Sequence, residues 1–455
     1  MKDNLLEAIA QIKKLADYGD IRMKDIATEF IKMENGQISN LSRGRSRGVG
    51  IRVYVDGAMG FAATSDMDKL TETVQLAYDT ALASATLLRD KAVLSPKEAA
   101  QAEYSTPISI DPFSVALQDK IDVLMACHSA GANEAHMDFR REDVIFADTD
   151  GSYIVQKFYQ SGGGVVAWQS ERCSFDNYLR AGYEAVVDLK LAERAKMVAE
   201  EARVLSEAED CPAGLFDMIL MPTQLQLQIH ESVGHPTELD RVLGSEAAFA
   251  GASFLSPTDS GLKYGSEHVT IVADASTNLG LGTFAYDDEG VPAQNVTLID
   301  RGTFRNFQSS RDNSPNSHGM GLSDGWQNLP IVRMTNINLQ SGNFTLDELI
   351  SDIEYGFLLE NNKSWSIDDK RINFQFACEI AREIKDGKLS GKLYKNPTYT
   401  GRTTEFWGSC DGVANESHRE IIGVPNCGKG QPMQVIRCSH ASSPARFRKV
   451  RFING

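Results

Sequence analysis

Apolar residues recur at helical spacing in the first twenty positions. Leu5, Ile9, Ile12 and Leu15 predict an amphipathic helix over residues 4–18, with Gly19 as its stop. The pattern then turns to alternation. Ile51, Val53 and Val55 mark one strand, and Glu34-Asn35-Gly36 and Asp56-Gly57 read as hairpin turns between β-rich runs over residues 20–65. A Leu-, Ala- and Thr-rich helix is expected over 66–88, with Ser65 or Asp66 as its cap, and another near 114–132. Residues 136–190 read as strands, broken by turns at Asp148–Gly151 and at Gly162-Gly163-Gly164, and residues 191–208 read as a helix. The run Glu209-Asp210-Cys211-Pro212-Ala213-Gly214 breaks that helix. Beyond it come a strand at Phe216–Met221, a helix from Pro222, many short strands, and a helix near 345–355. Hairpins mixed with helices, without regular βαβ alternation, predict an α+β protein of two domains. The expected division is 1–210, an antiparallel sheet with helices, and 211–455, a β-rich domain that carries the Pro222 helix.

Composition narrows the function. Lys plus Arg number 46 and Asp plus Glu 62, a net charge of −16 over 455 residues. Direct nucleic-acid binding needs clustered cations, so no such partner is expected. The small basic groups at Arg43, Arg45, Arg47 and Arg446–Arg451 read as solvated faces or local ion pairs. No stretch approaches the ~20 apolar residues of a membrane span, and the N-terminus lacks the apolar core of a signal peptide. The expected location is cytoplasmic. Seven scattered cysteines without a CxxC pair are then expected as free thiols, most of them core residues.

One segment carries chemistry: Gln228-Ile229-His230-Glu231-Ser232-Val233-Gly234-His235-Pro236. A His-Glu pair followed by a second His is how many zinc hydrolases present two imidazoles and a general base. Their usual spacing is i, i+4. Here it is i, i+5, which an unbroken α-helix sets about 140° apart, too far to share an ion. Gly234 weakens the helix interior and Pro236 pushes His235 toward extended geometry, so an exit turn could swing His235 back. A local π-bulge would do the same. Leu225, Ile229 and Val233 fit one helical face, although Leu225–Ile229 also alternates with period two, in which case the segment is a strand and His230 an ordinary surface histidine.

Residues His230–Leu243 resemble the signature of the TldD branch of the TldD/PmbA family, long labelled "modulator of DNA gyrase". Arg47–Arg52, Gly60–Thr64, Tyr286–Pro292, Pro330–Asn336 and Asn426–Gln431 agree in order, so the resemblance spans nearly the whole chain. It implies a zinc metallopeptidase acting on peptides, with a catalytic subunit that pairs with a second copy or with a TldE-like paralogue lacking the motif. It also implies a metal held by His230, His235 and Cys427, with Glu231 as general base. The tail Cys438-Ser439-His440 departs from the family pattern and offers two further ligand types. Residues i and i+2 of a strand stand about 6–7 Å apart, so both would ligate only with distortion. Cys427 lies in Pro425–Gly430, where two glycines predict a tight turn presenting the sulfur, and Lys429 would favour its thiolate.

Other candidates carry less. Glu238 and Asp240 could accept a hydrogen bond from the second nitrogen of His235, or be plain turn carboxylates. The carboxylates of Tyr286-Asp287-Asp288-Glu289 could together bind a cation, and Asp287 could support the metal ligands or contact substrate, although an exposed acidic turn is the default. Arg333 could orient a substrate carbonyl. His128, His136, His268, His318 and His418 read as structural. A reading from another class stays open, a non-catalytic protein that modulates a partner such as DNA gyrase around a structural metal. Glu231 discriminates, because a structural site is closed by four protein ligands and needs no carboxylate beside it.

Overall fold

The computed structural model describes residues 2–249 and 251–454. The first half runs through helix α1 (Lys2–Leu15), strands β1 (Tyr18–Glu34), β2 (Gln37–Val55) and β3 (Ala58–Thr64), helix α2 (Leu70–Ala85), strand β4 (Gln101–Ser105) and helix α3 (Leu117–Ser129). Strands β5 (Glu134–Asp148), β6 (Tyr153–Trp168) and β7 (Arg172–Leu179) follow, then helices α4 (Glu184–Leu189) and α5 (Leu191–Glu207). The strands form one sheet in the order β3-β2-β1-β5-β6-β4, with β7 also on β6. Every pairing is antiparallel except that of β4 with β6. Both hairpin turns fall where the sequence put them. Asn35, Gly36, Asp56 and Gly57 all have positive φ, which these residue types adopt at least cost. The apolar stripe of α1 (Leu5, Ile9, Ile12) packs with Val74 and Ala77 of α2 against Ile21, Val49 and Ile51 of the sheet.

The second half begins with strand β8 (Gly214–Leu220), helix α6 (Pro222–Ile229) and the short helix α7 (Leu239–Val242). Strands β9 (Ile271–Asp274), β10 (Asn295–Asp300), β11 (Thr303–Phe304), β12 (Gly321–Leu322), β13 (Ile331–Val332) and β14 (Ile337–Leu339) are short, and helix α8 (Leu346–Ser351) follows them. Longer strands come next: β15 (Tyr355–Ile367), β16 (Asn373–Lys385), β17 (Lys388–Lys395) and β18 (Thr398–Arg402). Helix α9 (Thr403–Gly408) precedes β19 (Cys410–Val413), β20 (Glu420–Lys429), β21 (Gln434–Ser442) and β22 (Ala445–Ile453). Strands β15, β8, β22, β18 and β16 pair in that order, and β16 pairs back to β15, closing a five-stranded ring. Leu225 and Ile229 of α6 share one core cluster with Leu220, Phe357, Phe376, Tyr399 and Phe447 of these strands. The helix that carries the motif is therefore anchored by its apolar face to a closed sheet. Strand outweighs helix, and the class is α+β; the first half forms one sheet, and the second half adds to its ring the sheet β11-β10-β9-β14 and the two-stranded pairs β12-β13 and β20-β21.

The structure corrects four expectations. Helix α1 ends at Leu15, and Gly19 lies in β1, where a Cβ would stand 2.4 Å from Ile12. The glycine serves close helix–sheet approach, not helix termination. Residues 184–189 form α4 within a stretch read as strands. Gly162–Gly164 is not a turn but the middle of β6, between β5 and β7. A Cβ on Gly162 would lie 2.4 Å from the Asn177 carbonyl oxygen, and one on Gly163 2.4 Å from that of His136, so these glycines let three strands close up. The acidic turn is buried: Lys24 pairs with Asp288 at 2.8 Å and Arg52 with Glu289 at 2.7 Å, joining the two halves. Arg43 and Arg45 pair with Glu29 and Asp25, and Arg446 and Arg448 with Asp411, as the reading of local ion pairs expects.

Candidate metal centre

Pro222 starts α6 at a position where its missing N–H is no loss. The helix widens at its end into a single π-turn over His230–Gly234, and the His235 N–H donates to the His230 carbonyl. A turn closed by an i→i+5 bond stacks residues five apart, and this places the two imidazoles together. Their ring centroids are 4.8 Å apart, edge to face. His235 keeps helical dihedrals (φ −62°, ψ −44°), so the widened turn and not an extended residue returns it. Pro236 instead opens a short 3-10 turn. Gly234 permits close packing, since a Cβ there would stand 2.3 Å from the Met334 sulfur.

Cys427 approaches from β20. The pairing of β20 with β21 shifts register between Val424 and Cys427, across Pro425 and Asn426. Proline cannot continue the ladder, and the bulge re-aims the next side chain. The expected tight turn is therefore a bulged strand. Donor atoms of His230, His235 and Cys427 all lie within 4.8 Å of one another, and all three residues are buried. Lys429 does not face the thiol; it donates to Asp240 at 2.7 Å and lies 3.4 Å from Glu238. The Cys438 thiol beside Cys427 does that work. Its hydrogen bond is the largest influence holding Cys427 well below the usual thiol range, against burial and with help from His230, His235 and Arg333. The same contact pushes Cys438 up.

Hydrogen bonds fix which nitrogen each imidazole presents. His235 Nδ1 lies 3.0 Å from Glu238 Oε2, so Nδ1–H donates and Nε2 keeps its lone pair, 3.8 Å from the Cys427 sulfur. Burial opposes ionisation of Glu238, but Lys429, His235 and Arg241 outweigh it and hold the carboxyl below its usual range. For His230 the partner is one the sequence did not suggest. His440 Nδ1 lies 2.9 Å from the Ile337 carbonyl, which can only accept, so His440 Nε2 is an acceptor. His230 Nδ1 lies 2.8 Å from it and donates, which leaves His230 Nε2 free for an ion. Burial pushes His440 down to about 3, consistent with a neutral ring.

The remaining candidates divide. Glu231 lines a cleft of about 710 Å³ with both motif histidines and Cys427, and Arg371 donates to its carboxylate at 2.8 Å. Nothing in the sequence pointed to Arg371. Asp240 receives Lys429 and not His235. Arg333 is buried and clamps β20 to β21, donating to the carbonyls of Cys427 and Gln434. Asp287 accepts from the backbone amides of Glu289, Val291 and Gly321, away from the cleft. Cys438 and His440, both paired within β21, bring sulfur and nitrogen to 4.0 Å without breaking the strand, closer than backbone spacing suggests. His230, Cys438 and His440 thus form a second trio, reached through the opposite nitrogen of His230.

Two imidazoles and a thiol held low, each oriented by a second partner, suit a borderline-soft divalent ion such as zinc. The comparisons place the chain among metallopeptidases. Residues 213–442 match the PmbA/TldA metallopeptidase C-terminal domain and residues 19–85 match domain 1 of the same family. The chain belongs to that family. A metalloprotease of Methanocaldococcus jannaschii is 27% identical over 94% of this chain and 96% of its own length. A metalloprotease TldD homolog of Haemophilus influenzae is 27% identical over 92% of this chain and 90% of its own. A zinc metalloprotease TldD homolog of Saccharolobus solfataricus is 23% identical over 52% of each chain. Among solved structures, TldE from Thermococcus kodakarensis superposes with a TM-score of 0.78 at 16% identity, over 99% of both chains, which shows a shared fold.

Proposed function

We propose that the protein is a zinc-dependent metallopeptidase that hydrolyses peptide bonds in unfolded or small peptides. The carrying observation is that His230, His235, Cys427 and the non-ligand carboxylate of Glu231 share one cleft. His230 and His235 would hold the ion through Nε2 and Cys427 through its sulfur, and the ion would supply Lewis acidity toward the scissile carbonyl and its attacking water. Glu231 takes the proton of the attacking water and passes it to the leaving amine. Arg371 holds that carboxylate in place between turnovers. Glu238 and His440 hold the two ligand imidazoles by Nδ1 and leave each Nε2 open to an ion. Residues 422–428 of β20 line the cleft; among the described residues β20 pairs as a strand with β21 alone, and Asn177 of β7 bonds its other edge at Ile421 and Gly423, leaving the stretch beyond Gly423 for a substrate. An extended peptide added along the other edge would run past Glu231. The reading includes a cytoplasmic protein that forms a homodimer or pairs with a TldE-like paralogue, and that does not bind nucleic acid directly.

A second reading rests on Cys438. Its thiol lies against Cys427 and 3.8 Å from His230 Nδ1, so a fourth protein ligand is at hand. An ion closed by it would be structural, and the protein a partner-modulating one, of the kind suggested by a Thermotoga maritima structure whose name refers to modulation of a DNA gyrase (TM-score 0.78, 16% identical, 99% of this chain and 100% of that one). The test is Glu231→Gln. Retained zinc with lost cleavage of a denatured substrate supports the peptidase, and cleavage at the wild-type rate refutes this role for Glu231.

A further inference from the structure

A small, partly open cavity of about 80 Å³ lies between the two halves, bounded by β6, the segment after β7, residues 281–288 and β21. It shares none of the metal centre's donors. Its wall carries two guanidiniums without ionic partners. Among the described residues, Arg180 and Arg437 have no carboxylate at ion-pair distance, whereas the other charged groups on the wall are committed. Lys24 and Arg140 share Glu142 at 3.2 Å each, and Asp288 receives Lys24 and Ser323. Asp324 accepts the Val435 amide.

The unmet hydrogen bonds here have one sign. Arg180 Nε, Arg437 Nε and Gln160 Nε2 are buried donors without acceptors, and among the described residues no buried side-chain acceptor on this wall is unmet. Arg180 spends its other valences on the Leu281 carbonyl and on the Phe158 ring, 4.6 Å from its guanidinium carbon. Burial pulls Arg180 down to about 10, with Glu142 opposing it from beyond ion-pair distance and Arg140 and Arg437 adding to it. A buried donor left unmet costs about 1–3 kcal/mol, and three around one cavity call for an acceptor with several oxygens. Guanidiniums match carboxylate and phosphate geometry best.

We propose that this cavity is a binding site for a small oxyanion of the phosphate or carboxylate class, held by Arg180, Arg437 and Gln160 and bridging the two halves of the chain. The volume suits an anion of that size or a few waters. The site is independent of the peptidase reading.

The test is calorimetric titration of the full chain with inorganic phosphate and, separately, succinate, at ionic strength matched with sodium chloride. Saturable binding of either, weakened about tenfold or more in Arg437→Gln, is expected. Which of the two binds more tightly assigns the phosphoryl or the carboxylate source. Gln160→Glu guards against a variant that fails to fold. It places a carboxylate among the three donors, and it should raise the melting temperature and abolish the titration signal. No saturable signal from either anion, or a signal unchanged in both variants, would overturn the site and leave a water-filled cavity.

Discussion

Three side chains around His230 have separable roles, and single substitutions tell them apart. Cys427→Ala should strip zinc and abolish cleavage, because it removes the one thiol among the described residues that its surroundings hold low. Cys438→Ala should retain one equivalent of zinc by metal analysis. His440→Phe should fill the space yet remove the acceptor for His230 Nδ1. Loss of such an orienting partner typically weakens metal binding about 10–100-fold, so chelator competition should show that drop while saturating zinc still loads one ion. An unchanged affinity in His440→Phe would remove it from the account. The sequence offered Cys438 and His440 only as rival ligands. It could not show that an Ile337 carbonyl, 103 residues away, decides which nitrogen of His440 is an acceptor.

At the scale of elements, the reading of local pattern succeeded where the signal was local. Asn35-Gly36 and Asp56-Gly57 carry their own turn chemistry, and the stripe Leu225, Ile229, Val233 carries its own helix. The i, i+5 spacing of the histidines already demanded a break in α-helical geometry, and the π-turn supplies it. Pattern failed where neighbours from elsewhere decide. Gly162–Gly164 looks like a turn until β5 and β7 press on both sides of it. Gly163→Ala would drive a Cβ to 2.4 Å from a backbone carbonyl that cannot rotate away. It should cost about 1–3 kcal/mol, read as a lower urea midpoint at an unchanged slope. A midpoint equal to wild type would mean that the sheet opens more easily than its packing implies. Cys427 was misplaced for a similar reason, since its bulge is defined only by the strand it fails to match.

For the molecule as a whole, the distance between residues hid what burial shows. Asp288 and Glu289 read as an exposed acidic turn because their partners, Lys24 and Arg52, lie 264 and 237 residues upstream. Long-range pairing also builds the cleft, whose walls come from β7, α6, β15 and β20. A cleft enclosed by strands should admit extended chains, so a denatured protein should be cleaved faster than its folded form. Equal rates would count against strand-wise substrate entry. Light scattering should give a dimer at micromolar concentration, alone or with a TldE-like partner, through an interface above ~1,600 Å² in total. A 50.0 kDa monomer under both conditions would refute the association.

The central claim is an open site of two imidazoles and one thiolate beside Glu231. X-ray absorption at the zinc edge of the loaded protein tests it most directly. The account predicts a single sulfur at about 2.3 Å, with nitrogen and oxygen neighbours near 2.0–2.1 Å. Two sulfurs at that distance would place Cys438 on the ion beside Cys427, close the site with protein, and contradict the peptidase reading.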